Sequence, residues 1–190
     1  MIMLSEFRRQ KITKEFNFLD TNADGLLGKV DFELGAARLA EAMGWDKDSD
    51  EFKALLKERC LAWEELCLAA DFDQSGSVDL PEYQEFYERM TANMGSDPAK
   101  APVWFRRVCA AHVESMDLDG DQKITAEDYA RFIKAHNYSG FDVQACFEVL
   151  DLDGNGHLDK DECVLLCLQF YLSEDTTLPG NSIWGPLSNK

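Results

Sequence analysis

A chain of 190 residues, 45% apolar and 11% aromatic, is long enough to bury a core without disulfide staples and too apolar to be disordered throughout. Its 36 acidic against 19 basic residues leave a formal net charge of -17, which repels phosphate backbones and anionic lipid, argues against nucleic-acid and membrane partners, and favours cations as ligands. No apolar run approaches the roughly 20 residues of a membrane span, and the start, Met-Ile-Met-Leu-Ser-Glu-Phe-Arg-Arg-Gln, has no apolar signal core, so a cytoplasmic protein is expected.

In chain order, Ile12, Phe16 and Leu19 stand at i, i+4 and i+7 and predict an amphipathic helix that runs into DTNADGLLGKVD, Asp20 to Asp31. This segment sets oxygen-bearing side chains at its first, third, fifth and twelfth positions, namely Asp20, Asn22, Asp24 and Asp31, with Gly25 at the sixth for a positive-φ turn. Phe32, Ala36, Leu39 and Met43 predict the next helix, and the polar run from Asp46 to Asp50 a longer connection. Phe52, Leu55, Leu56, Trp63, Leu66 and Cys67 then give the apolar face of a helix leading into DFDQSGSVDLPE, Asp71 to Glu82. Here Asp71, Asp73, Ser75 and Glu82 repeat the arrangement around Gly76, and Tyr83, Phe86, Tyr87 and Met90 continue in helix.

Gly95 to Pro102, with Pro98 and Pro102, reads as a seam between two halves. Beyond it, Val108, Val113 and Met116 precede DLDGDQKITAED, Asp117 to Asp128, which offers Asp117, Asp119, Asp121 and Asp128. Gln122 replaces the turn glycine there, at a cost of roughly 1–2 kcal/mol. Tyr129, Phe132 and Ile133 follow in helix, then Val143, Phe147 and Leu150 lead into DLDGNGHLDKDE, Asp151 to Glu162. That fourth repeat holds Asp151, Asp153, Asn155 and Glu162 around Gly156, and Leu166, Phe170 and Tyr171 close the series. The tail from Ser173 carries Leu178, Ile183, Trp184 and Leu187, too much apolar surface to leave in water, and is expected to dock on the core.

The repeated spacing is that of the calcium-binding EF-hand loop. A hard cation takes about 6–8 oxygens, which alternate side chains supply together with the seventh-position carbonyl, here of Leu26, Ser77, Lys123 and His157. His157 is therefore expected to give its carbonyl, with the imidazole outward. Asp79 and Asp159, at the ninth positions, are expected to act through water. The second and fourth loops end in Glu and suit Ca²⁺. The first and third end in Asp31 and Asp128, one methylene shorter, which tilts them toward Mg²⁺. The eighth positions, Leu27, Val78, Ile124 and Leu158, predict short β-ladders between paired loops, which ordinary solvated turns would not need. Cys60, Cys67, Cys109, Cys146, Cys163 and Cys167 are expected to be reduced core residues, and His112, His136 and His157 form no zinc cluster with them.

With four such repeats, a long first gap, the opening Phe7-Arg-Arg-Gln-Lys-Ile-Thr-Lys-Glu-Phe16 and the tail Leu178-Pro-Gly-Asn-Ser-Ile-Trp-Gly-Pro, the chain resembles the sarcoplasmic calcium-binding proteins, together with calexcitin and calerythrin. The expected fold is all-α: two pairs of helix-loop-helix EF-hands in a compact two-lobe arrangement with short β-ladders. The expected division is an N-terminal pair over 1–95, a C-terminal pair over 96–172, and a tail over 173–190 that packs on the core. The resemblance implies a cytosolic Ca²⁺/Mg²⁺ buffer, expected to be a monomer. A calcium sensor with a protein target is the main rival, although only six methionines, dispersed along the chain, stand against 21 aromatic residues. A luciferin-type carrier is a third reading. No glycine-rich phosphate loop, nucleophile elbow or paired-histidine motif points to an enzyme.

Overall fold

A computed structural model describes residues 4–187, apart from Ser115, Leu118, Asn137 and Ser139 and the side chains of Trp104, Val108 and residues 111–114. The side chains of Val108, His112 and Val113, named above, thus lie outside the described residues. Among the described residues eight helices follow one another: α1 (Glu6–Leu19), α2 (Lys29–Met43), α3 (Asp50–Ala70), α4 (Leu80–Thr91), α5 (Val103–Glu114), α6 (Ala126–Ala135), α7 (Val143–Leu150) and α8 (Lys160–Leu172). Short polar side chains start several of them. Ser5 Oγ accepts the Arg8 N–H, Ser49 Oγ that of Phe52, and Asp142 Oδ1 that of Ala145, each supplying a partner for an otherwise orphaned first-turn donor. Gly44, at φ +69°, ends α2 in the left-handed conformation that glycine adopts without cost. Pro98–Lys100 forms a 3₁₀ turn between α4 and α5, and Pro179–Ser182 another in the tail.

Two antiparallel ladders tie the loops in pairs. β1 (Leu26–Leu27) pairs with β2 (Val78–Asp79), and β3 (Ile124–Thr125) with β4 (His157–Leu158). Leu27 faces Val78 and Ile124 faces Leu158 across them, and all four side chains are buried, so the apolar eighth position plugs each lobe beneath its loops.

Within the lobes α1 packs on α4, α2 on α3, α5 on α8 and α6 on α7. The lobes meet where α1 lies on α8 and α2 on α6. Tyr83, Tyr87, Phe105 and Tyr171, all buried, gather here, with the Tyr87 and Tyr171 rings stacked at 5.1 Å. Their helices surround α1 closely enough to bury charged residues the helix pattern had left to solvent. Lys11 is fully buried, and its Nζ donates to the carbonyls of Gln169 and Ser173 and to Asn181 Oδ1 at 2.8–3.2 Å. Burial, and Arg8 beside it, push its pKa down to about 7.

The tail seals the lobes together. Ile183 and Trp184 are buried, and the Trp184 ring lies against Phe18 (5.4 Å) and Phe132 (6.1 Å). Tyr129 Oη donates to the carbonyls of Ser182 and Ile183, and Cys146 Sγ to that of Ser182. Two expectations need correcting. All six cysteines are free, but Cys60 and Cys67 are only half-buried, and of the apolar face expected on α3 only Trp63 is buried while Phe52, Leu55, Leu56 and Leu66 stay half-exposed. The reason is geometric: α3 packs mainly on α2 and α4, which bury Trp63 and leave Leu55, Leu66 and Cys67 at the margin of the core, only partly covered.

Glu15 makes the lobe contact sensitive to pH. It is buried, accepts a hydrogen bond from Tyr171 Oη, and burial raises its carboxyl to about 7 against the Tyr171, Tyr83 and Tyr87 hydroxyls, which favour the charged form. Between the ordinary value of 4.5 and about 7 the folded chain holds a proton that the unfolded chain releases. The stability Glu15 contributes is thus complete below 4.5 and lost as pH rises through 7, a change of about 3 kcal/mol. Glu15→Gln mimics the protonated acid. Urea midpoints in saturating calcium should show the native chain losing ground to this variant by about that amount between pH 5 and pH 8. Parallel pH profiles would mean that Glu15 does not titrate in this window.

Candidate metal centre

Each loop is shaped from within by its own carboxylates. In the second, Asp71 Oδ1 accepts the Ser75 N–H (3.0 Å) and Oδ2 that of Gly76 (3.0 Å), while Asp73 Oδ1 accepts a second bond from Ser75. Glu82 reaches back from α4: Oε1 accepts the Phe72 and Asp73 N–H groups and Oε2 that of Asp79. The fourth loop repeats this. Asp151 accepts from Asn155 and Gly156, Asp153 from Asn155, and Glu162 from Leu152 and Asp159. These bonds orient the carboxylates inward before any ion arrives.

The result is convergence. One carboxylate oxygen each from Asp71, Asp73 and Glu82 lie within 4.8 Å of one another, as do those of Asp151, Asp153 and Glu162, and those of Asp117, Asp119 and Asp121 in the third loop. Asp128 does not belong to the third group, and among the described residues no such triple forms in the first loop, where Asn22 takes the third position. There Asp31 instead accepts from Asn22 (3.1 Å) and Gly28 (2.9 Å), and Asp20 from Asp24 and Gly25. Ser75 and Asn155 stand beside the second and fourth clusters, and the Ser77 carbonyl already accepts from Ser75 Oγ. Leu26 and His157 sit in the ladders, and Lys123 directly before β3. Asp79 and Asp159 are seen capping α4 and α8 through the Glu82 and Glu162 N–H groups.

Electrostatics match the geometry. Burial raises the Asp31 carboxyl above its ordinary value against the Gly28 and Asn22 amides, and Asp20 and Asp24 add repulsion. At Asp71 slight desolvation acts upward, but the Gly76 and Ser75 amides and the Cys67 thiol outweigh it and hold the carboxyl below its ordinary value. A donor set made wholly of oxygen, with neither imidazole nor thiolate in any of the three clusters, suits a hard divalent cation and not zinc.

The backbone at the sixth position is left-handed in all four loops: φ is +84° at Gly25, +85° at Gly76, +86° at Gly156 and +66° at Gln122, where the side chain carries the expected strain. The fourth position is left-handed as well, at Ala23 (+60°), Gln74 (+58°), Gly120 (+76°) and Gly154 (+71°). The sequence reading missed this second turn. Glycine in two of the four repeats was its only signal.

A sequence profile described as EF hand matches residues 143–162, the fourth loop with the helix before it. Calerythrin of Saccharopolyspora erythraea is 27% identical over 173 residues, 89% of this chain and 94% of its own. Sarcoplasmic calcium-binding proteins II, V, VI and VII of Branchiostoma lanceolatum are 26% identical over 183 residues, 96% and 98% of the two chains. The solved structure of a sarcoplasmic calcium-binding protein from amphioxus superposes with a TM-score of 0.70 at 27% identity, covering 96% of this chain and 98% of that one. Over most of its length the chain is thus similar to sarcoplasmic calcium-binding proteins and to calerythrin, and it has the EF-hand fold. It is a calcium-binding protein and not an enzyme. The calcium-loaded apo form of coelenterazine-binding protein from Renilla muelleri gives a TM-score of 0.77 at 19% identity over 96% of this chain and 99% of that one, a likeness of fold alone. Among the described residues no helix of this EF-hand protein is long and apolar enough to cross a membrane.

Proposed function

We propose that the protein is a cytoplasmic Ca²⁺/Mg²⁺ buffer that works as a monomer, with residues 1–95 and 96–172 as its two lobes and 173–190 as the tail that closes them. The observation that carries this reading is the tail itself: buried Trp184 sits against Phe18 and Phe132, one from each lobe, so the apolar surface a sensor would offer a target is already covered from within. The second and fourth loops, closed by Glu82 and Glu162, would hold Ca²⁺ most tightly. Mg²⁺ would compete best in the first and third, where the shorter Asp31 and Asp128 suit six-coordination. The ion, once bound, neutralises the converging carboxylates. The chain supplies the oxygens, the inward orientation and the ladder that couples each pair.

A carrier reading is weaker. The side chains of Glu15, Tyr83, Tyr87, Phe105 and Tyr171 pack between α1, α4, α5 and α8, in the region where a ligand held between lobes would need room.

Calorimetric calcium titration should lose one tight step in Glu82→Gln and one in Glu162→Gln, and an unaltered titration in either would overturn the ranking of sites. A hydrophobic dye followed in the same samples should brighten little when calcium replaces magnesium. A strong rise, larger still after deletion beyond Ser173, would favour the sensor.

A further inference from the structure

We infer that Arg131 sets the metal affinity of the third loop by holding its closing carboxylate, Asp128, to the helix instead of the ion. This rests on the reading of the loops as metal sites. In the other three loops the closing carboxylate folds over the loop entrance: Asp31 Oδ1 accepts from Asn22, Glu82 Oε1 from Phe72 and Asp73, and Glu162 Oε1 from Leu152. In the third, among the described residues, Asp128 Oδ1 accepts from Arg131 Nη1 at 3.1 Å, and Oδ2 accepts from the Thr125 N–H (3.0 Å) and hydroxyl (2.6 Å). Arg131 is further anchored on Glu127 through Nη2.

The pair is sheltered, with the Asp128 side chain 5% exposed and that of Arg131 32%. Consistently, Asp128 stands outside the convergent group of Asp117, Asp119 and Asp121, whereas Glu82 and Glu162 belong to theirs. The chain marks the difference, because three residues beyond the closing carboxylate stand Leu34, Glu85 and Leu165 in the other loops and a base only here.

Two effects follow for a divalent cation entering this loop. It must draw Asp128 from a charge-assisted hydrogen bond, and it must do so beside a guanidinium of like sign only a few ångström from the carboxylate. Both weaken binding. Both disappear when the guanidinium is removed, while the Thr125 bonds that keep Asp128 in place on α6 remain.

The test is a titration of the full chain with Ca²⁺ alone, followed by ¹⁵N NMR at the Gln122 and Lys123 amides for the third loop and at Gly156 for the fourth. Arg131→Met, which keeps the aliphatic stem, should tighten the third loop about three- to tenfold and leave the fourth unchanged. Arg131→Lys, which keeps the charge but loses the planar fork, should fall between that variant and the native chain. Arg89→Met removes an equal charge from α4, where Arg89 pairs with Glu85 and not with a closing carboxylate, and should leave the third loop as it was. Equal dissociation constants for the native chain and Arg131→Met, or the same gain from Arg89→Met, would overturn the role of Arg131 while leaving the loop as a metal site. No saturable change at Gln122 and Lys123 in any of the proteins would overturn the site itself, and the inference with it.

Discussion

Exchanging calcium for a chelator is expected to lower the melting temperature by about 10–20 °C. The four loops hold 17 of the 36 acidic residues, and in three of them carboxylate oxygens converge to within 4.8 Å. Without a cation these charges repel at short range, and the three clusters are made of carboxylates alone. An ion that binds only the folded chain adds about 2.7 kcal/mol per site at a hundredfold excess over its dissociation constant. Two tight sites therefore contribute about 5 kcal/mol, and in a chain of this size 1 kcal/mol moves the midpoint by about 2–4 °C. Differential scanning calorimetry in calcium and in chelator makes the comparison. Superimposable melts would remove the metal reading altogether.

The second large effect belongs to the tail. Trp184→Ala should cost about 3–5 kcal/mol, because the ring is buried among Phe18, Phe132 and Phe170 and leaves a cavity that rigid neighbours cannot refill. Gly180→Ala probes the same docking by a different route. A Cβ there would lie 2.3 Å from the Leu166 carbonyl oxygen and 2.6 Å from Gln169 Cβ, both on α8, so tail or helix must give way at a cost of about 1–3 kcal/mol. Urea midpoints in saturating calcium read both changes. Values equal to that of the native chain in both would mean that the tail is not seated on α8.

Most of the fold could be read from the sequence because the repeats are strong local signals. The twelve-residue spacing marks the loops, and Leu27, Val78, Ile124 and Leu158 mark the ladders and their pairing. What could not be read is what one helix does to another. Ile12, Phe16 and Leu19 announce a single apolar stripe on α1, yet α4 and α8 flank the helix, and Lys11 and Glu15 are buried along with it. A lysine and a glutamate carry no mark of burial until the carbonyls and tyrosine hydroxyls that receive them are known. Asp128 teaches the same lesson within a site: its position in the loop was evident, but its attachment to Arg131 depends on side-chain direction along α6, which a loop motif does not encode.

The hydrogen bond between Lys11 and Asn181 joins residues 170 apart in the chain, and that between Ser5 and Glu174 residues 169 apart. At ordinary translation speeds of about 5–20 residues per second, roughly 10–30 s separate the emergence of α1 from the ribosome and that of its last partners. Until those partners emerge, Lys11 lacks the Ser173 carbonyl and the Asn181 side chain that receive it. Closure around α1 thus waits on residues about 170 positions later in the chain. A nascent chain that has released its four loops but not residues 173–184 would leave Lys11 without Ser173 and Asn181.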